Sequence, residues 1–163
     1  MEKTEWYMGT PNGIVLCVEN REKSRFGGRF YHAYSNAATE FMSMDEVLFQ
    51  MEEFYDSLNY PCPTTDERTF INRSRGTKPG PERMKMMEDE ELLSKHGELG
   101  TFIIRVQHRQ NSSWQGRITW MDKNKTVYFR SIWEMIKLVA GALDTVSVSE
   151  EEQREVTWED AQE

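Results

Sequence analysis

Between residues 102 and 144 the spacing of apolar residues changes partway along. Phe102, Ile104 and Val106 alternate with Ile103, Arg105 and Gln107, the two-residue period of a strand with one buried face. The polar stretch from Gln110 to Ser113 separates this run from a second alternation, Arg117-Ile118-Thr119-Trp120. Asp122-Lys123-Asn124-Lys125 carries turn residues, and Thr126 to Phe129 predicts a third strand. The period then lengthens to 3.6, with Ile132, Met135, Ile136, Val139 and Leu143 on one helical stripe. Ser131 and Glu134 stand three apart at its start, the spacing of a capping box that satisfies free amide groups.

The same succession of periods occurs earlier. Ile14, Leu16 and Val18 alternate, Gly28-Arg29-Phe30 opens a second run, Thr39 to Phe41 predicts a third strand, and Ser43 with Glu46 forms a second capping box. Met44, Val47, Leu48, Met51, Tyr55 and Leu58 make the corresponding helical stripe. Residues 14–56 and 102–144 align without a gap at an offset of 88, with ten identities: Val18/Val106, Arg21/Arg109, Ser24/Ser112, Gly28/Gly116, Arg29/Arg117, Asn36/Asn124, Phe41/Phe129, Ser43/Ser131, Glu46/Glu134 and Asp56/Asp144. Average residue usage gives about three by chance in such a window. The fold class expected is α+β, an internal duplication of a β-β-β-α unit with antiparallel sheets and one helix each. A 43-residue unit is too short to bury a core of its own, so the copies are expected to pack on each other with pseudo-twofold symmetry. Periodicity leaves open whether they share one sheet or face each other as two layers.

The expected boundaries are a first repeat over 1–58, a linker over 59–100, a second repeat over 101–146 and an acidic, disordered tail over 147–163. Tyr60-Pro61-Cys62-Pro63 and the stretch Arg73 to Pro81 carry the proline and glycine that mark the linker, and residues 82–95 predict a short helix ended by His96-Gly97. In the tail, Val156 and Trp158 are the residues with apolar surface to dock.

Charge divides the chain further. The net charge is −8, yet residues 14–56 carry four Lys/Arg against eight Asp/Glu and residues 102–144 carry seven against three. Overall acidity argues against indiscriminate nucleic-acid binding, while the asymmetry between segments fits a specific anionic partner or contact between the segments. Two cysteines in different segments make neither a disulfide framework nor a metal-binding pair, and no apolar run is long enough to cross a membrane. A cytoplasmic protein without membrane association is the expectation.

Strand parity assigns Phe102, Ile104, Val106, Ile118, Trp120, Val127 and Phe129 to the face under the helix, and Arg105, Gln107, Arg109, Arg117, Thr119, Tyr128 and Arg130 to the opposite one. The candidate binding face is Arg105, Arg109, Arg117, Tyr128 and Arg130, with Trp114 in the adjoining loop. Guanidinium groups bind carboxylate or phosphate in a forked geometry, and exposed rings stack on bases. No catalytic residue is expected. His32, His96 and His108 stand in separate segments, Cys62 has no histidine beside it in sequence, and no glycine-rich phosphate loop follows a strand. Neither metal nor cofactor is implied. Met84, Met86 and Met87 beside the linker are candidates for a contact formed with a partner.

Two resemblances add to this reading. Arg105-x-x-x-Arg109 followed by Asn111-x-Ser113-x-x-Gly116 resembles the signatures of PilZ domains, β-barrels that bind cyclic diguanylate, although there the arginine motif lies on a loop well upstream of the second motif. Met8 to Gly13 and the segment Thr101 to Ser131 resemble a family of small cytosolic proteins from anaerobic Gram-positive bacteria with no assigned activity. This second resemblance implies a bacterial cytosolic origin and no catalytic residue. The expected function is a non-enzymatic binding or adaptor protein whose second repeat presents a basic, aromatic-bearing sheet face to an anionic protein partner. RNA or single-stranded DNA binding is the alternative, and a nucleotide-binding regulatory module of PilZ type the third.

Overall fold

The computed structural model describes residues 8–23, 25–71 and 84–160, with side chains up to residue 146. The fold is α+β. Strands β1 (Ile14–Glu22), β2 (Arg25–His32) and β3 (Thr39–Phe41) lead into helix α1 (Met44–Leu58), and the single turn α2 (Asp89–Leu92) follows. Strands β4 (Gly100–His108), β5 (Gln115–Trp120) and β6 (Lys125–Phe129) then lead into α3 (Ile132–Asp160). All six strands form one antiparallel sheet in the order β3-β2-β1-β4-β5-β6, so both groups of three share a continuous sheet. β1 and β4 meet at its centre with Ile14 opposite Ile104, Val15 opposite Ile103 and Leu16 opposite Phe102.

Corresponding details recur 88 residues apart. β1 is bulged against β2 between Val18 and Asn20, and β4 against β5 between Val106 and His108. Gly28 lies opposite Phe41 and Gly116 opposite Phe129. Ser43 Oγ accepts from the Glu46 amide while Glu46 Oε2 accepts from the Met42 amide. At α3, Ser131 Oγ accepts from the Glu134 amide and Glu134 Oε1 from that of Arg130. In both boxes read from sequence the serine accepts from an open first-turn amide, while the glutamate reaches back to the amide of the residue before the serine.

The helices cover one face of the sheet, α1 over β2 and β3, α3 over β4 to β6. Ile14, Leu16, Val18, Phe102, Ile104, Val106 and Ile118 fill the main core beneath them with Val47, Met51, Tyr55, Met135, Val139 and Leu143. The far face was expected to meet solvent, and over the central strands it does not. Met8, Met87 and Leu92 pack there on Val15, Cys17 and Ile103 in a second core. Amides of Met86 and Met87 donate to Ala33 O, and buried Asn12 Nδ2 donates to Val106 O, which fixes the covering segments to the sheet. β1 and β4 are therefore buried on both faces over Ile14–Val18 and Gly100–Val106. The sequence carried this signal in the apolar residues Val15, Cys17 and Ile103 at outward parity, since a strand covered on both sides reads as a continuous apolar run.

Other expectations change with it. Val127, assigned inward, is 45% exposed because β6 is the sheet edge, and Trp120 is half-buried, stacked beside Phe102. The helix expected over 82–95 is the single turn Asp89–Leu92; residues 84–88 are non-helical and 82–83 lie outside the described residues. The proline- and glycine-rich stretch Arg73 to Pro81 also lies outside them. Of the three linker methionines, Met84 and Met86 are exposed and Met87 is buried. Disorder was expected beyond residue 146, yet α3 runs unbroken to Asp160. Glu and Gln propagate a helix at low cost once packing has nucleated it, so low apolar content did not end this one. Docking of Val156 and Trp158 concerns side chains outside those described.

Candidate functional site

The sheet separates the six residues expected on one basic face. Register places Arg105 opposite Arg117 and Arg117 opposite Tyr128, a row crossing β4, β5 and β6 on the far face. Arg105 lies at its covered end, 7% exposed, donating from Nε to Met8 O (2.6 Å) and from Nη1 to Thr119 Oγ1 (3.1 Å). Burial draws its pKa down from the ordinary guanidinium value, and the charge of Arg117 adds to the effect. Arg117 is half-buried and its guanidinium lies 6.0 Å from the centre of the Tyr128 ring, which is 69% exposed. Arg117 Nε is buried without a hydrogen-bond acceptor among the described residues.

The other three residues serve the helix face. The bulge at Val106/His108 inserts one residue, reverses the alternation, and carries Arg109 to the opposite side from Arg105. There Arg109 is 4% exposed, donating from Nε to Pro61 O (2.6 Å) and from Nη1 to Asp56 Oδ1 (2.6 Å) and Glu52 Oε1 (3.2 Å). Trp114, expected as a stacking platform, is 2% exposed; its Nε1 donates to Glu52 Oε2 at 2.6 Å and its ring meets Tyr55 edge-on at 5.3 Å. Arg130 turns to the helix side and pairs with Glu134 at 3.1 Å, an exposed i,i+4 contact that raises the arginine's pKa and lowers that of the carboxylate. The two arginines of the PilZ-like pattern thus lie on opposite faces of an open sheet, not together on a barrel.

The equivalent row in the first three strands is Cys17, Arg29 and Glu40. Arg29 has acids around it: Nη1 reaches Glu19 Oε1 at 2.9 Å, Nε donates to Tyr31 Oη at 2.7 Å, and Glu40 stands opposite on β3. Offsetting by 88, Gln107 replaces Glu19, Thr119 replaces Tyr31 and Tyr128 replaces Glu40. One arginine among two glutamates becomes two arginines with no acid at any matching position. Like charges directly opposite on neighbouring strands oppose the fold, so this arrangement has a cost that an anion at Arg117 would offset. Sequence parity identified Arg117 and Tyr128 correctly as outward residues; the bulge that removes Arg109 leaves no signature in periodicity.

Chemistry of other kinds has a smaller footing. No group of three or more His, Cys, Asp or Glu residues is placed to hold a metal ion among the described residues. His32 is buried, stacked on Phe54 at 4.0 Å, and its Nδ1 accepts from the Tyr34 amide. Cys62 is exposed and its Sγ is 3.2 Å from Asn59 O. Among the described residues no helix is long and apolar enough to cross a membrane. Comparison with protein-family models, curated proteins and solved structures finds no match.

Proposed function

We propose that this chain is a non-enzymatic, cytoplasmic binding protein that receives an acidic segment of a protein partner at Arg117 and Tyr128 on the far face of β5 and β6. The observation carrying this reading is Arg117: a half-buried guanidinium without an acid opposite it, in the place where Arg29 has Glu19 and Glu40. A carboxylate accepting from Arg117 would gain a charge-assisted hydrogen bond, and Tyr128 would cover the aliphatic part of the incoming side chain. Trp114 offers no exposed ring, so base stacking would rest on Tyr128 alone, and protein is therefore favoured over single-stranded nucleic acid.

The architecture behind this site is, on the same reading, a duplicated β-β-β-α unit with pseudo-twofold packing about Val15 and Ile103. Its support is the recurrence at offset 88 of both bulges, both opposed glycines and both capping boxes. Two ion pairs add to it. Arg21 pairs with Asp144 and Arg109 with Asp56, each linking the hairpin of one half to the helix of the other. Acids surround Arg29 in one half, and none stands at the matching positions around Arg117 in the other.

Fluorescence anisotropy with a labelled hexaglutamate peptide, and separately with labelled oligothymidylate, tests the reading. Binding of the peptide is expected to weaken about tenfold or more in Arg117→Glu, with Arg130→Glu close to the parent. Equal peptide affinity in the parent and Arg117→Glu would refute the site, and tight, steeply salt-dependent binding of the oligonucleotide alone would replace the protein partner with nucleic acid.

A further inference from the structure

Strand β6 forms one edge of the sheet and β3 the other, and the two edges are finished differently. β3 is three residues long, and Glu40 O accepts from Gln50 Nε2 on α1 at 3.0 Å, so a helix side chain takes up backbone of that edge strand. The positions 88 residues later hold Tyr128 and Leu138, and a leucine has no donor to offer. β6 is five residues long, holds no proline, pairs with β5 without a bulge, and is exposed from Lys125 to Tyr128. Among the described residues no loop or side chain hydrogen-bonds to its backbone. Such an edge presents N–H and C=O groups with which a further strand can pair.

We propose that β6 takes up, as a seventh strand, an extended segment of a partner protein in which acidic residues alternate with β-branched apolar ones. Pairing of this kind rests on the reading that Arg117 receives an acidic segment, and it gives that segment its conformation. Successive residues of a strand point to opposite faces, so Thr126 and Tyr128 face away from the helices and Lys125, Val127 and Phe129 towards them. The Arg117 guanidinium lies 6.0 Å from the centre of the Tyr128 ring, so its side chain leans towards the edge. Neighbouring strands stand about 4.8 Å apart, which brings a carboxylate beside Tyr128 within reach of that guanidinium. On the helix side a β-branched residue covers the exposed part of Val127. Charge agrees with this occupant. Arg117, Lys123, Lys125 and Arg130 stand about the edge against Asp122 and Glu134, and Glu134 is paired with Arg130. A second copy of β6 in the same place would set one basic edge against another, and like charges across strands are destabilising.

Two end-capped hexapeptides of one composition, alternating Glu-Val-Glu-Val-Glu-Val and blocked Glu-Glu-Glu-Val-Val-Val, are the probes. By fluorescence anisotropy the alternating peptide is expected to bind the chain several-fold tighter than the blocked one. At saturation it should slow hydrogen exchange of alternate amides within Lys125–Phe129 by about tenfold or more, as the added strand takes up their open N–H groups. Arg117→Glu should weaken both peptides. Equal affinity for the two, or unslowed exchange in β6 with the alternating one bound, would overturn strand addition and leave the acidic site standing, provided Arg117→Glu still weakens both. Unchanged affinity in Arg117→Glu, or no saturable binding of either peptide, would remove that site and strand addition with it. Slowing of the same amides with rising protein concentration, in the absence of peptide, would give the edge to a second copy and overturn the proposal.

Discussion

Arg21 and Arg109 show how one residue type has different consequences in two settings. Both reach across to an aspartate on the opposite helix, but the Arg21 side chain is 23% exposed and that of Arg109 only 3%. An exposed pair contributes little after solvent screening, while removing one member of a buried network leaves polar groups without partners. Arg109→Met is therefore expected to destabilise the protein by roughly 3–5 kcal/mol, and Arg21→Met by less than about 1 kcal/mol, measured as shifts in urea midpoint. The cysteines differ as sharply. Burial pushes the Cys17 thiol up to about 11, against a small lowering by Arg29, so at pH 8 iodoacetamide should modify exposed Cys62 and spare Cys17 until the chain unfolds. Burial also raises the pKa of the Tyr55 phenol. A group whose folded pKa exceeds its unfolded one holds its full contribution below the unfolded value. These two groups should thus leave stability unchanged from neutral pH to about pH 8.5 and make it decline as pH rises towards 11; a urea midpoint unchanged at pH 10.5 would contradict the burial of Cys17.

Among the elements, the bulged hairpins do the most to place side chains. Beside each bulge a glycine faces a carbonyl at very close range: a Cβ on Gly28 would stand 2.0 Å from Cys17 O, and one on Gly116 2.0 Å from Arg105 O. Backbone cannot yield as a flexible side chain does, so Gly116→Ala and Gly28→Ala should each cost at least about 1–3 kcal/mol by chemical denaturation. Gly141, with open space around it on α3, tolerates the same change. Helix starts and strand order of types were legible in the sequence because capping boxes and changes of period are local signals. The bulges were not, since a single inserted residue looks like ordinary alternation until its partner strand is known. That one element explains why Arg109 was expected beside Arg105 and instead lies across the sheet from it.

At the scale of the molecule, the sheet closes the question the repeated pattern left open by running all six strands together, with β1 and β4 buried on both faces. The second cover, from Met8, Met87 and Leu92, comes from segments distant in sequence, whose docking no periodicity within the strands records. It leaves Arg117 half-buried and Tyr128 exposed on the far face, where Arg105, Gln107 and Tyr128 stand at the positions that hold Cys17, Glu19 and Glu40 in the first half. The central claim is that an acidic segment binds there. Mapping of amide chemical shifts on the ¹⁵N-labelled chain during titration with hexaglutamate tests it most directly. The prediction is a set of saturable shifts centred on Arg117, Thr126 and Tyr128 that Arg117→Glu abolishes; shifts centred on α1 or α3, or a pattern that survives Arg117→Glu, would contradict it.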